Sequence, residues 1–434
     1  MDSVWQINSE RVSFGRLTEK VKTDVLIIGG GMAGLLTAYT LSGRGVDCVL
    51  LEADRICNGT SANTTAKITL QHGLIYDKLI RRHGIEKAGL YLEAQRDAMT
   101  QFERLSKVVD CDYEHKSSYV YSLTDREKIE RELSALDRLG LTAELSMAEK
   151  LPFSVKGAVR VKNQAQFNPL KFAFGIAGGV RVYESSKVVA LEKNRAKTLH
   201  GEVVADKIVI ATHFPILNKH GGYFLKMYQH RSYVIALENA SDVDGMYIDE
   251  SDKGLSFRNY AGLLLLGGGA HRTGKKGGNW CELESFSAKH YPGAKVVTKW
   301  AAQDCMTLDK MAYIGEYSKS TPGLYVATGF NKWGMTSSML SAMILSDLVC
   351  DGRSEYSELF LPSRRMYIPS LALNAAEALL GLITPTAPRC PHLGCALRYN
   401  EAEHSWDCPC HGSRFTKDGK LIENPATDDK HISH

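Results

Sequence analysis

The chain has 434 residues, of which 44% are hydrophobic and 24% charged, with a formal net charge of +4. That composition is globular, long enough for roughly two or three domains, and too weakly charged to argue for nucleic acid or a membrane surface as partner. No apolar run reaches membrane-spanning length, and Met1 to Glu10 holds neither a basic nor an apolar leader region, so the expectation is a cytoplasmic protein with no integral membrane segment.

In chain order, Val25 to Ile28 is a continuous apolar run, the pattern of a buried parallel strand. It runs into Gly29-Gly-Gly31-Met-Ala33-Gly34 and a helical stretch to about Ser42; a second strand, Val46 to Leu51, ends in Glu52. G-x-G-x-x-G alone is weak evidence. Between a strand and a helix, with an acid about twenty residues on, it is a dinucleotide fingerprint. Gly29 makes the tight turn, Gly31 admits a pyrophosphate at the helix N-terminus, Gly34 lets helix and strand pack closely, and Glu52 is expected to bond the ribose. The alternative is an ordinary strand–turn–helix with glycines for turning. The next segment, Asn63 to Tyr76, carries Thr65, Lys67 and His72.

Val182 to Leu191, with Val188, is expected to include a strand, and Ala205 to His213, with Thr212, reads as another. Arg258 and His271-Arg272 fall in expected strands, where each side chain fits a structural or solvent-facing role better than the carboxylate contact that the arginine fork would suit. Gly323-Leu-Tyr-Val-Ala-Thr-Gly329-Phe-Asn331-Lys332-Trp333-Gly334-Met335-Thr336 is a strand, a Gly-rich turn and the start of a helix over Thr336 to Val349. Leu371 to Ile383, interrupted by Asn374 and Glu377, reads as an amphipathic linker helix.

The last tenth of the chain carries Cys390-Pro-His392 and, after fifteen intervening residues, Cys408-Pro-Cys410-His411. Two cysteines and two histidines also make a zinc set, but zinc knuckles usually pair two cysteines, and here each knuckle mixes Cys with His. The other six cysteines (Cys48, Cys57, Cys111, Cys281, Cys305, Cys350) are scattered and fit reduced core thiols.

On these segments, together with Trp300 to Asp304, residues 1–365 resemble the D-amino-acid oxidase / glycine oxidase superfamily of flavoenzymes. The resemblance implies an α/β (α+β) architecture: a Rossmann-like FAD-binding domain (about 20–79, 166–216 and 301–365) interleaved with an antiparallel-sheet substrate domain (about 80–165 and 217–300). It implies FAD as cofactor, with Ala33, Thr65, Val188, Thr212, Gly329, Asn331, Gly334, Met335 and Thr336 among its contacts. In the superfamily the flavin takes hydride from a carbon bonded to an amine nitrogen. Candidate catalytic residues are His72 (flavin contact, covalent link, or a hydrogen-bonded structural histidine near the flavin), Lys67, Lys332, Trp333, Arg258 and His271. Lys332 and Trp333 depart from the small or His residues of simple amine oxidases, and Thr336 stands where some oxidases carry lysine.

The two cysteine boxes resemble the Rieske family, whose members hold a 2Fe–2S cluster on two thiolates and two imidazoles at roughly −150 to +300 mV. The resemblance implies Cys390, His392, Cys408 and His411 as ligands and a Cys395–Cys410 disulfide locking the loops. Ser413 matches a hydroxyl that bonds a cluster sulfur, whereas Phe415 replaces the usual tyrosine, pointing to an intermediate potential. The segments read as a helical linker over 366–388 and a truncated cluster module over 389–434, too small for a core of its own. The expected partners are an amine or amino acid and an external electron carrier, ferredoxin- or quinone-like. Reverse electron flow, or a cluster that serves as a structural or redox-sensing staple, are the competing readings.

Overall fold

The computed structural model describes residues 2–217, 220–365, 371, 372, 374 and 388–430. The expected linker helix falls almost entirely outside the described residues. No helix among those described is long and apolar enough to cross a membrane.

Among the described residues the first sheet has eight strands, and its main path runs Tyr313–Glu316, Leu324–Thr328, Glu202–Ile210, Lys20–Ile28, Cys48–Leu51, Arg181–Tyr183. The central pairs are parallel, with Leu26 opposite Ile208 on one side and Val49 on the other. The apolar run at Val25–Ile28 is continuous because both faces are covered. Val25 and Ile27 enter one core with the helices Met32–Gly43 and Gly334–Cys350, while Leu26 and Ile28 enter a second with Val203, Ile210 and Tyr313. Val188 lies between the short strands Arg181–Tyr183 and Ala190–Glu192 rather than in a strand.

The second sheet has nine strands, mostly antiparallel, along the path Lys295–Thr307, Met227–Glu238, Leu263–Arg272, Ser256–Tyr260, Met246–Asp249, Glu114–Ser122, Gly157–Gln166, Lys67–Ile68. The Lys295–Thr307 strand pairs with Met227–Glu238 along its whole length, so Ala301 to Thr307, expected in an FAD-binding segment, lie in this sheet. The long helix Tyr76–Ser106 starts where the buried Glu132 carboxylate accepts the N–H groups of Tyr76 and Asp77, each at 2.9 Å, and it breaks at Gly84, whose φ is 83°.

A third, four-stranded antiparallel sheet (Arg398–Asn400, Ser405–Asp407, Arg414–Thr416, Leu421–Glu423) carries the cysteine boxes. The expectation that this module has no core is corrected: Cys390, Cys395, Leu397, Cys408, Cys410, Phe415 and Ala426 pack together and are buried. The module also docks closely on the rest. Arg231 of the second sheet reaches Glu403 at 2.7 Å and Glu423 at 3.1 Å. Gln303 Nε2 donates to the Gly412 carbonyl at 2.9 Å, and Asn424 Nδ2 donates to the carbonyls of Thr212 and Phe214 at 2.6 and 2.9 Å. At Gly412 the φ is +88° and a Cβ would sit 2.3 Å from Gln229 Cβ, so both conformation and contact demand glycine.

Of the six scattered cysteines, Cys281 and Cys350 are exposed, which corrects their reading as core thiols; Cys48, Cys57, Cys111 and Cys305 are buried.

Candidate active site and cluster site

A cavity of about 890 Å3 runs from the Gly29–Ala33 turn along Glu52 and Val188 to the Gly329–Met335 turn and the second sheet. At its first end Gly29 has φ +108°, and a Cβ there would lie 2.5 Å from the Ala211 carbonyl oxygen. A Cβ on Gly34 would lie 1.9 Å from the Gly29 carbonyl oxygen. Gly31 differs: a Cβ there would meet only Ser61 Oγ at 3.5 Å, so the space above it belongs to the cavity. That is a cradle of pyrophosphate size at a helix N-terminus, and it fits the cofactor the motif implies. Glu52 lines the cavity but also accepts the N–H groups of Gly30 at 2.6 Å and Asp54 at 2.9 Å, holding the turn itself. Burial raises its pKa, and those backbone donors pull it back.

At the far end Gly329 has φ +73°, and Asn331 ties the turn to the second sheet by accepting the Thr307 N–H at 2.8 Å. Lys332, Trp333, Gly334 and Met335 line the cavity, as do Thr65, Lys67, His72 and Thr212. His72 is engaged at both ring nitrogens, Nδ1 with Tyr91 Oη at 2.6 Å and Nε2 with Thr336 Oγ1 at 2.9 Å, and it stacks on Trp333 with centroids 4.9 Å apart. Burial lowers its pKa to about 3, so the imidazole is neutral. With both ring nitrogens engaged, His72 pins the cavity wall to the start of the Gly334–Cys350 helix. Lys67 donates to Thr65 Oγ1 at 3.2 Å, and burial, with Arg258 nearby, lowers its pKa to about 7.

Two expected carboxylate binders face elsewhere. Arg258 is buried, donates to the carbonyls of Thr65 and Ala66 at 2.6 and 2.8 Å, and packs over Trp5. His271 stacks on Tyr233 with Nδ1 3.1 Å from the Gly269 carbonyl oxygen. Neither lines the cavity. Sequence reasoning passed over Asp304, which does, and over Leu421–Asn424, Ala426 and Thr427, with which the cluster module closes one wall. For Asp304 the alternation along its strand was the available signal; for the module nothing local was.

The cysteine boxes form two matching turns. Gly394 N–H bonds the Cys390 carbonyl and Gly412 N–H the Cys408 carbonyl, both at 2.9 Å. Cys395 and Cys410 are disulfide-bonded, with Cα atoms 6.6 Å apart. Their sulfurs lie within 4.8 Å of Cys408 Sγ but, being bonded to each other, offer no thiolate. Cys390 and Cys408 are buried free thiols hydrogen-bonded to one another, which lowers the first and raises the second. The imidazoles of His392 and His411 face each other at 5.0 Å, and burial lowers them to about 4 and 3. Both ring nitrogens of His411 are buried without a hydrogen-bond partner among the described residues. Two paired thiols and two paired neutral imidazoles are the donor set of a 2Fe–2S cluster. Ser413 Oγ accepts the Ala426 N–H at 2.9 Å and also bonds the Cys390 thiol. His411 is 2% exposed and packs against Phe224, whereas His392 is half-buried beside Phe214.

Comparison with known proteins agrees with this geometry. Residues 24–348 match the family model "FAD dependent oxidoreductase" and residues 377–432 the Rieske 2Fe–2S domain. A putative Rieske 2Fe-2S iron-sulfur protein, YhfW of Bacillus subtilis, is 33% identical over 98% of this chain and 96% of its own. Gamma-glutamylputrescine oxidoreductase of Escherichia coli is 25% identical over 84% of this chain and 93% of its own. Glycine oxidase from Geobacillus kaustophilus superposes with a TM-score of 0.68 at 19% identity, covering 80% of this chain and 100% of that one. L-proline dehydrogenase from P. horikoshii gives 0.68 at 16%, covering 80% and 98%. The chain therefore belongs to the FAD-dependent oxidoreductase (DAO) family, with FAD as its cofactor, and carries a C-terminal Rieske domain for a 2Fe–2S cluster.

Proposed function

We propose that this oxidoreductase oxidises an amine or amino acid at the C–N bond and passes the electrons singly through the Rieske cluster to an external carrier. The carrying observation is the continuity between cavity and cluster site. Thr212 lines the cavity and is clamped by Asn424 of the module, and two residues on Phe214 meets the ring of His392 at 6.4 Å. Bound FAD supplies the two-electron acceptor for a C–H hydride. The chain's own residues set up the rest. The Gly334–Cys350 helix directs its N-terminus at the cavity, where the dipole favours developing negative charge. Lys67, held near neutrality by burial, adds a cation that responds to that charge. The module covers one wall, and its exposed Leu393 tip leaves a side open to a carrier.

The gamma-glutamylputrescine, glycine and proline enzymes among the relatives act, by their names, on amines or amino acids, which supports this substrate class. The test is an anaerobic screen of amines and amino acids read by flavin absorbance; bleaching by at least one is expected, and none bleaching would overturn the reading.

The module's role in the cavity wall also favours the staple reading, and Cys408→Ser separates the two. For a relay, the variant keeps amine-driven flavin bleaching and loses electron delivery to a one-electron carrier. For a staple, it loses flavin and fold together.

A further inference from the structure

We propose that Asp304 receives the ammonium group of the substrate, so that the enzyme takes its amines as cations; this rests on the amine-oxidising reading above. Asp304 lies near the end of the Lys295–Thr307 strand, where side chains alternate between faces. Gln303 points to the module and bonds Gly412 and Thr273. Ala302, Asp304 and Met306 face the cavity beside the Gly329–Met335 turn. Among the described residues the Asp304 carboxylate is perturbed by burial and by charges acting through space, with no side-chain hydrogen bond among the causes.

The charged groups around it act only through space, Lys332 most strongly. Arg231 is committed to Glu403 and Glu423, His213 sits 3.2 Å from Gln229 Oε1, Glu423 repels it, and Lys332 faces it with no ion pair formed. Its cross-strand neighbour His230 is held uncharged, its pKa lowered to about 2 by burial and nearby cations. The other carboxylates at this end are occupied: Glu250 by Lys128 at 2.9 Å, Asp249 by the Ser251 N–H at 2.8 Å, Asp252 by Lys310 at 3.9 Å, and Asp309 by Arg364 at 2.6 Å. An unpaired carboxylate on a cavity wall carries a desolvation cost that a cationic ligand removes, and burial raises the Asp304 pKa accordingly. A raised carboxylate is also the right acceptor. The ammonium N–H bond breaks, its electron pair stays on nitrogen, and the proton passes to a carboxylate oxygen of Asp304. The lone pair then forms the C=N bond as the α-hydrogen leaves with its electron pair to the bound flavin, giving an iminium product.

The ammonium is shared by two sources, amino acids and carboxylate-free amines, and Lys332 distinguishes them. The probes are 2-aminoisobutyrate and tert-butylamine, neither of which has an α-hydrogen to lose, titrated into the holoenzyme and read as a shift of the flavin spectrum. Asp304→Asn should weaken both about tenfold or more, with flavin content unchanged and Asp304→Glu restoring part of the loss. Lys332→Met should weaken only 2-aminoisobutyrate if the physiological substrate carries a carboxylate, and neither probe if it does not. Wild-type affinity for both probes in Asp304→Asn, or failure of the wild type to bind either, overturns the assignment. Failure of every amine to bleach wild-type flavin overturns the oxidising reading instead, so the two failures are separable.

Discussion

Replacing Arg231 with methionine should destabilise the docked protein by about 3–5 kcal/mol, because it removes one partner from a buried charge network. The network joins Arg231 of the second sheet to Glu403 and Glu423 of the module, and Arg414 of the module to Glu403 and Asp407, both at 2.9 Å. The side chains of Arg231, Arg414 and Asp407 are 4%, 3% and 2% exposed, so water cannot take over the lost bonds. Methionine keeps the length and apolar stem of the side chain, which confines the change to charge. Arg414 still holds Glu403, placing the effect toward the lower end of that range. Loss of the cluster's visible circular dichroism against guanidinium measures it, and a change under about 1 kcal/mol would be too small for a desolvated pair.

The same network gives a pH signature. Arg231 and Arg414, acting against burial, lower the Glu403 pKa from 4.5 to about 2. A carboxylate depressed in the folded state contributes stability that is fully present above its unfolded pKa and lost as pH falls through the folded one. Docking should therefore weaken between about pH 4.5 and 2, by on the order of 3 kcal/mol at most. Glu403→Gln should flatten that slope.

Gly34→Ala should abolish flavin binding through the fold, and Gly31→Ala through the ligand alone. The Gly34 methyl would stand 1.9 Å from the Gly29 carbonyl oxygen, a contact that forces the Met32–Gly43 helix off the turn and moves the whole phosphate cradle. The Gly31 methyl would meet only Ser61 Oγ at 3.5 Å, so the apoprotein should unfold at the wild-type temperature. Its methyl would occupy the space a pyrophosphate needs, and flavin occupancy, read from the ratio of 450 to 280 nm absorbance, should fall about tenfold or more. Full occupancy in Gly31→Ala would mean that the cofactor does not pass this turn.

What the sequence made legible was local. The Val25–Ile28 run, the glycine turn and Glu52 lie in one strand–turn–helix–strand unit, and their spacing encodes their geometry. The helix expected over Thr336 to Val349 spans Gly334–Cys350 because its composition is apolar on every side and the structure buries it so. The cysteine boxes were readable because each sits in one short turn. What escaped was long-range. Arg231 and Glu403 are 172 positions apart, and no periodicity reports such a pairing. Arg258 looked like a substrate anchor because it sits in a sheet strand, yet its face turns toward the Thr65–Ala66 backbone. The module's core was missed because its strands are three residues long, too short to show alternation. His411 gave no sign of burial, since the surface covering it comes from Phe224.

The central claim is that electrons taken from an amine reach the Rieske cluster inside this chain. Its most direct test is anaerobic mixing of the holoenzyme with an amine that bleaches the flavin, followed by rapid freezing and electron paramagnetic resonance. A reduced-Rieske signal is expected to grow as flavin absorbance recovers, and to be absent in Cys408→Ser. Flavin that bleaches fully while the wild-type cluster stays oxidised would contradict it.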